Sequence, residues 1–232
     1  YNEMKGVFSS PENLVDRYQS HALFPSTTYG NESGGDPLFI PDLTYEEFRE
    51  FHRKYYHPSN SRIFLYGDAN TLETLRFVQE NYLKDFARME VDSSIGQQKR
   101  FRKPRRKEIF YPVSKEESLE KKTFVSVGLK LHKSTDQEHC LGFNILNQIL
   151  LDTDASPLRK ALIDSGLGSE VVGGGFDDQR METTFVVGLK GTEKEHEGKI
   201  VDLIFSTLRG LVEKGIDKKM VEAAVNTIEF RL

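Results

Sequence analysis

Between Thr44 and Phe86 the chain changes its hydrophobic period twice, and that change limits the folds open to it. Thr44 and Glu47 form a T-x-x-E capping box, and Phe48, Phe51 and Tyr55 follow at helical spacing. The spacing predicts a helix that stops near His57, because Pro58 disfavours helical geometry in the residue before it. Arg62–Gly67 (RIFLYG) is a short apolar run and reads as a buried strand. Thr71–Phe86 then carries Leu72, Leu75, Val78 and Tyr82 as a second helical stripe. Helix, strand, helix in this order calls for a layered α/β or α+β domain.

Upstream of this unit, Ser10-Pro11-Glu12 is a strong helix start. The serine can cap free amides, the proline suits the first helical position, and the glutamate favours the positive helix end. The predicted helix covers Pro11–Phe24, with Leu14, Val15 and Tyr18 on one face. About a turn before it stands Glu3, either a solvated carboxylate or a metal ligand. Pro25–Leu43 is a long Gly/Ser/Asp/Pro-rich loop, which reads equally as a surface connection or as a functional segment.

From Ala87 to Lys107 the periodicity dissolves, and Lys99–Lys107 (KRFRKPRRK) is the most basic run. A run of this kind suits a nucleic-acid patch, a targeting signal or a solvated interdomain linker. We take it as the domain boundary, giving units at 1–90 and 108–232 joined by a basic linker at 91–107. In the second unit Thr123–Leu131 is a predicted strand and Gln137–Leu151 an amphipathic helix. Ser156-Pro157 opens a short helix closed by Gly166, and Ser169–Phe176 pairs with Thr183–Lys190 around a polar turn. Gly173-Gly174-Gly175 reads as a bulge or as room for a peptide backbone. Helices over Glu195–Lys214, stopped by Gly215, and beyond the cap Asp217 complete the pattern.

Composition narrows the class. The 232 residues give ample length for a core, and no apolar run approaches the ~20 residues of a membrane span. A net charge of −4, from 32 basic and 36 acidic residues, argues against nucleic-acid binding by the chain as a whole. Cys140 is the sole cysteine, so no internal disulfide forms; this favours a reducing compartment such as cytosol, mitochondrial matrix or plastid stroma. No motif supplies Cys140 with a base, and it reads as a buried structural thiol. Neither G-x-G-x-x-G nor a P-loop occurs, so nucleotide chemistry is not indicated.

The stretches YNEMKGVFSSPENL, TTYGNESGGDP, IPDLTYEEFREFHRKYYHPSNSRIFLYGD, SPLRKALIDSGLG and VEAAVNTIEF closely resemble the presequence-protease branch of the pitrilysin-like zinc metallopeptidases, subfamily C of the peptidase M16 family. The resemblance implies α+β metallohydrolase domains, each a mixed sheet packed with helices. It also implies an ATP-independent zinc endopeptidase for short unfolded peptides, such as cleaved organellar presequences, in the mitochondrial matrix or plastid stroma. In that family two His of an H-x-x-E-H helix and a distal Glu hold the zinc, which makes Glu3 the third ligand here. Gly34, Gly35 and Asp36 are the candidates for proximity to substrate.

The chain holds neither H-x-x-E-H nor H-E-x-x-H. His52 and His57 are five apart, His132 and His139 seven apart, and His21 and His196 have no partner at ligand spacing. A catalytic zinc needs three protein ligands, so this chain by itself is expected to be inactive and to bind no zinc. The expectation is an internal fragment: 1–90 the back half of a catalytic domain, and 108–232 most of a second, metal-free domain truncated at its end. An upstream metal helix and a closing C-terminal half of the same protein would be its partners. The competing reading is a non-catalytic subunit of the same fold with a structural or peptide-binding role.

Overall fold

The computed structural model describes residues 1–231, and these form two compact units. The first comprises Tyr1–Lys5 and Ser33–Gly96; the second comprises Gly6–Glu32 with Gln97 onward. This division differs from a boundary at 91–107, for a reason that lies in the second helix. Helix α1 spans Asn2–Val7 and helix α2 spans Pro11–Leu23. Ser10 caps α2 through its hydroxyl, which accepts from the Asn13 amide at 3.3 Å, and Pro11 takes the first helical position. The helix then packs on strand β1 (Thr123–Lys133). Ser126 Oγ lies 3.0 Å from Gln19 Oε1, and Phe24, just past the helix, is fully buried. A segment that sequence order places in the first unit therefore belongs to the second.

The second unit is built on a three-stranded antiparallel sheet in the order β1-β3-β2, with β2 at Glu170–Asp177 and β3 at Glu182–Thr192. The central strand is the most buried, as a strand paired on both sides should be. Val125 stands opposite Leu189 and Val127 opposite Val187, so the register points one apolar face inward. Helices α5 (Gln137–Leu151), α6 (Pro157–Asp164) and α7 (Glu197–Lys214) contribute to the core with Leu150, Leu158, Leu162, Ile200 and Ile204. Each fully buried Leu or Ile contributes about 1.5–3 kcal/mol. Helix α8 (Lys218–Arg231) packs on α5. The three glycines of β2 all have positive φ and mark a register shift between Val172 and Gly175, so the bulge reading holds.

The basic segment is tied down at two points. Gln98 is 5% exposed. Its amide donates to Glu182 Oε2 at 2.6 Å, and its side-chain oxygen accepts from the Ser26 amide and hydroxyl at 3.0 and 2.9 Å. Lys130 pairs with Glu182 and donates to the Gln98 carbonyl at 3.2 Å. Further on, Arg106 grips Glu197 through two hydrogen bonds of 2.6 and 2.7 Å. Within 91–107, Gln98 is thus a buried part of the second unit, while the residues on either side of it, Arg106 included, are exposed or half-buried.

In the first unit, helix α3 (Tyr45–Tyr55) has the complete capping box of Thr44 and Glu47 and stops before Pro58. Helix α4 is shorter than its apolar stripe suggests, covering Thr71–Val78, and passes into a π turn over Gln79–Leu83. Arg62–Gly67 forms no strand. Its alternating Ile63, Phe64, Leu65 and Tyr66 are all exposed, and no other strand lies within this unit among the described residues. A strand is defined by its partner's hydrogen bonds, and here the composition is present without the partner.

Candidate functional site

Glu3 lies in the first turn of α1, exposed, where a carboxylate suits the positive helix end. The next residue fixes the helix in place. Met4 is the buried residue of α1, and its thioether occupies the space over Gly34, where a Cβ would overlap Sδ and lie 2.8 Å from Cε. The helix carrying Glu3 and the loop carrying Gly34, Gly35 and Asp36 are therefore packed on each other within one unit. At Gly35 φ is +84°, and its Cα faces the Ile40 side chain. Asp36 shapes the loop: its Oδ1 accepts from the Leu38 amide at 2.9 Å, and its carbonyl accepts from the amides of Phe39 and Ile40 at 2.9 Å. This is an Asx-type turn leading into the 3-10 turn Ile40–Asp42.

Among the described residues, no group of three or more His, Cys, Asp or Glu side chains could hold a metal ion. Glu3 brings one carboxylate, short of the three ligands a catalytic zinc needs, so the donor set within these 232 residues does not fit zinc on its own. Several histidines are in other use. His52 stacks on Tyr56, and His57 Nδ1 accepts from the Ser59 amide at 3.1 Å. His139 pairs with Asp136 at 2.9 Å, which holds the Asp136 carboxyl below its usual range.

Sequence reasoning missed one cluster in the second unit. His132 is stacked with Phe143 and Phe176, its Nδ1 is 3.2 Å from Thr183 Oγ1, and its Nε2 is 3.5 Å from Cys140 Sγ. Cys140 thus has an imidazole beside it that no motif announces. The strand-turn-helix from β1 into α5 brings the two together across eight residues. The environment still disfavours thiolate: burial first, then the Asp178 and Asp136 carboxylates, push the thiol above its ordinary range. The expected structural thiol is what the geometry supports.

A family model described as "Peptidase M16 inactive domain" matches residues 42–228. This chain belongs to the peptidase M16 family. Curated relatives match it over its whole length: Presequence protease 1, chloroplastic/mitochondrial, of Arabidopsis thaliana at 46% identity, Protein HypA of Clostridium perfringens at 44%, and the mitochondrial presequence protease of Mus musculus at 35%. The M16 chain spans 22%, 24% and 22% of those proteins, about a quarter of their length. A crystal structure of a peptidase M16 inactive domain from Pseudomonas fluorescens superposes with a TM-score of 0.73 at 21% identity, covering 99% of this chain and 54% of that one. The expected α+β fold is thereby shared with M16 domains, and where a mixed sheet was expected the described residues form a small antiparallel one. The family model begins at Asp42, leaving Glu3 and the Gly34–Asp36 loop outside the matched range; the curated relatives cover both.

Proposed function

We infer that this M16 chain is part of an ATP-independent zinc metalloendopeptidase that degrades short unfolded peptides, cleaved organellar presequences among them. The observation that carries the reading is the full-length match to proteins named presequence protease, at 46% identity in Arabidopsis thaliana and 35% in Mus musculus. In this reading Glu3 is one of three zinc ligands, and two His and a general base come from polypeptide outside these residues. The exposure of Glu3, on a helix anchored by Met4, supports the assignment, since a ligand to a metal held elsewhere must face outward. The adjoining Gly34–Asp36 loop is proposed to lie near the peptide. Relatives named for mitochondria and chloroplasts support the matrix or the stroma as the compartment, while Protein HypA of Clostridium perfringens, 44% identical, is a bacterial relative.

The test is Glu3→Gln in the full-length protein. Zinc content by elemental analysis and cleavage of a synthetic presequence peptide should both fall by at least about a hundredfold, with the circular dichroism spectrum unchanged. Full zinc loading and wild-type turnover in the variant would remove Glu3 from the site.

The matched family description favours a second reading, a non-catalytic M16 subunit with a structural or peptide-binding role. It expects the wild-type full-length protein to carry no zinc and to bind peptides without cleaving them.

A further inference from the structure

The basic run at Lys99–Lys107 has no part in peptide cleavage as read above. Seven of its nine residues are Lys or Arg and none is acidic, so the rest of the chain is more acidic than the net −4 of the whole. Arg106 is engaged within the fold, by Glu197 and Glu108, and Lys194 takes the other oxygen of Glu108. Lys99, Arg100, Arg102, Lys103, Arg105 and Lys107 are exposed and have no ion-pair partner among the described residues. No helix or strand includes them. They form an irregular strap of the second unit, fastened at Gln98 and again at Arg106. Six unpaired cations are costly to bury, so the strap stays at the surface of a longer polypeptide as well. Apolar side chains accompany the charge: Phe101 lies within the run, and Ile109 and Phe110 follow it, Phe110 being 89% exposed.

We propose that the strap Lys99–Phe110 is a peripheral membrane contact, binding the surface of an anionic lipid bilayer. Its cations meet the lipid headgroups and Phe110 enters the boundary between headgroups and acyl chains. Each Lys or Arg near such a surface improves partitioning by about fivefold, so a cluster of six suffices where a single charge does not. A bilayer also meets the strap without wrapping the acidic remainder of the chain. Nucleic acid offers phosphates too, but two observations disfavour it. The Arg105 guanidinium lies over the Phe101 ring, 5.2 Å from its centroid, where a base would have to stack. The strap also presents no helix or strand to enter a groove.

Flotation of the full-length protein with lipid vesicles tests it. Vesicles of phosphatidylcholine with about 30% phosphatidylserine should carry the protein, and phosphatidylcholine alone should not. Raising the salt from about 0.05 M to about 0.5 M should release it, because the screening length shrinks. The combined variant Arg100→Gln, Arg102→Gln, Lys103→Gln, Arg105→Gln should bind these vesicles at least about tenfold more weakly, with an unchanged circular dichroism spectrum. Vesicles should also slow tryptic cleavage within 99–107 by at least about tenfold. No binding by the wild type, equal binding by the variant, or cleavage at the free rate on the vesicles would each overturn the proposal. So would a single-stranded oligonucleotide that binds more tightly than the vesicles and is lost in the same variant, which would make the strap a nucleic-acid site. Neither readout involves zinc or peptide cleavage, so the result stands whether the protein is a peptidase or a non-catalytic subunit.

Discussion

Met4 and Gly34 are the pair on which the placement of Glu3 depends. The thioether fills the space that any side chain at position 34 would need, so Gly34→Val should push α1 away from the loop. On the proposed reading of Glu3 as a zinc ligand, peptide cleavage by the full-length protein is expected to drop by about a hundredfold, because a small displacement of a ligand disorders the geometry around it. Adding Met4→Ala should restore part of the loss by vacating the space, and a double variant no better than Gly34→Val would refute the contact. Cys140 offers a second residue-scale test. With the thiol raised and buried, alkylation by iodoacetamide at pH 8 should be at least about tenfold slower in the native chain than in urea. The sign follows from proton binding. A thiol raised in the fold favours folding below its ordinary range and loses that contribution as pH climbs above it. The role proposed for Glu3 rests on the wording of YNEMKG, because one exposed carboxylate has no periodicity to betray it. The nearness of His132 to Cys140 was not legible at all, since it depends on how a strand turns into a helix.

At the scale of elements, caps and stops transferred well from sequence to structure because they are local. Ser10 and Thr44 each accept from the backbone amide three residues on, and Gly215 ends α7 with φ +81° and ψ 170°. That backbone region is close to glycine-only, so Gly215→Ala should cost about 1–3 kcal/mol in a denaturant titration. Gly210→Ala, inside α7 with open space around its Cα, should instead stabilise by up to about 1 kcal/mol. Arg62–Gly67 failed as a strand for the converse reason. Its apolar alternation is local, but strand formation is a property of pairs. The π turn at Gln79–Leu83 likewise leaves no mark in the apolar spacing of Leu72, Leu75 and Val78.

For the whole molecule the basic segment and α2 make a joint prediction. Residues between Gln98 and Arg106 are exposed and rich in Lys and Arg, so trypsin should cut there first. The two pieces should nevertheless co-elute on a native sizing column and separate only in detergent, because α2 lies on one side of the cut and β1 on the other. Early dissociation of the pieces would refute the packing of α2 on β1. The shared core also sets the cost of damage. Leu189→Ala, at the fully buried centre of β3, should destabilise the chain by about 2–5 kcal/mol. The basic run announced a boundary in the sequence, but the early membership of Gly6–Glu32 could not be read, since nothing local in a helix names its distant partner.

That distance has a consequence for how the protein is made. Ser126 meets Gln19 across 107 residues of chain, and everything from Ser33 to Gly96 is synthesised in between. At about 5–20 residues per second, α2 leaves the ribosome some 5–20 s before the strand it rests on exists. Throughout that interval Leu23 lacks the strand it packs against and Phe24 has only the nearby Tyr29 ring, which makes this short helix the natural early client of whatever chaperone attends the nascent chain.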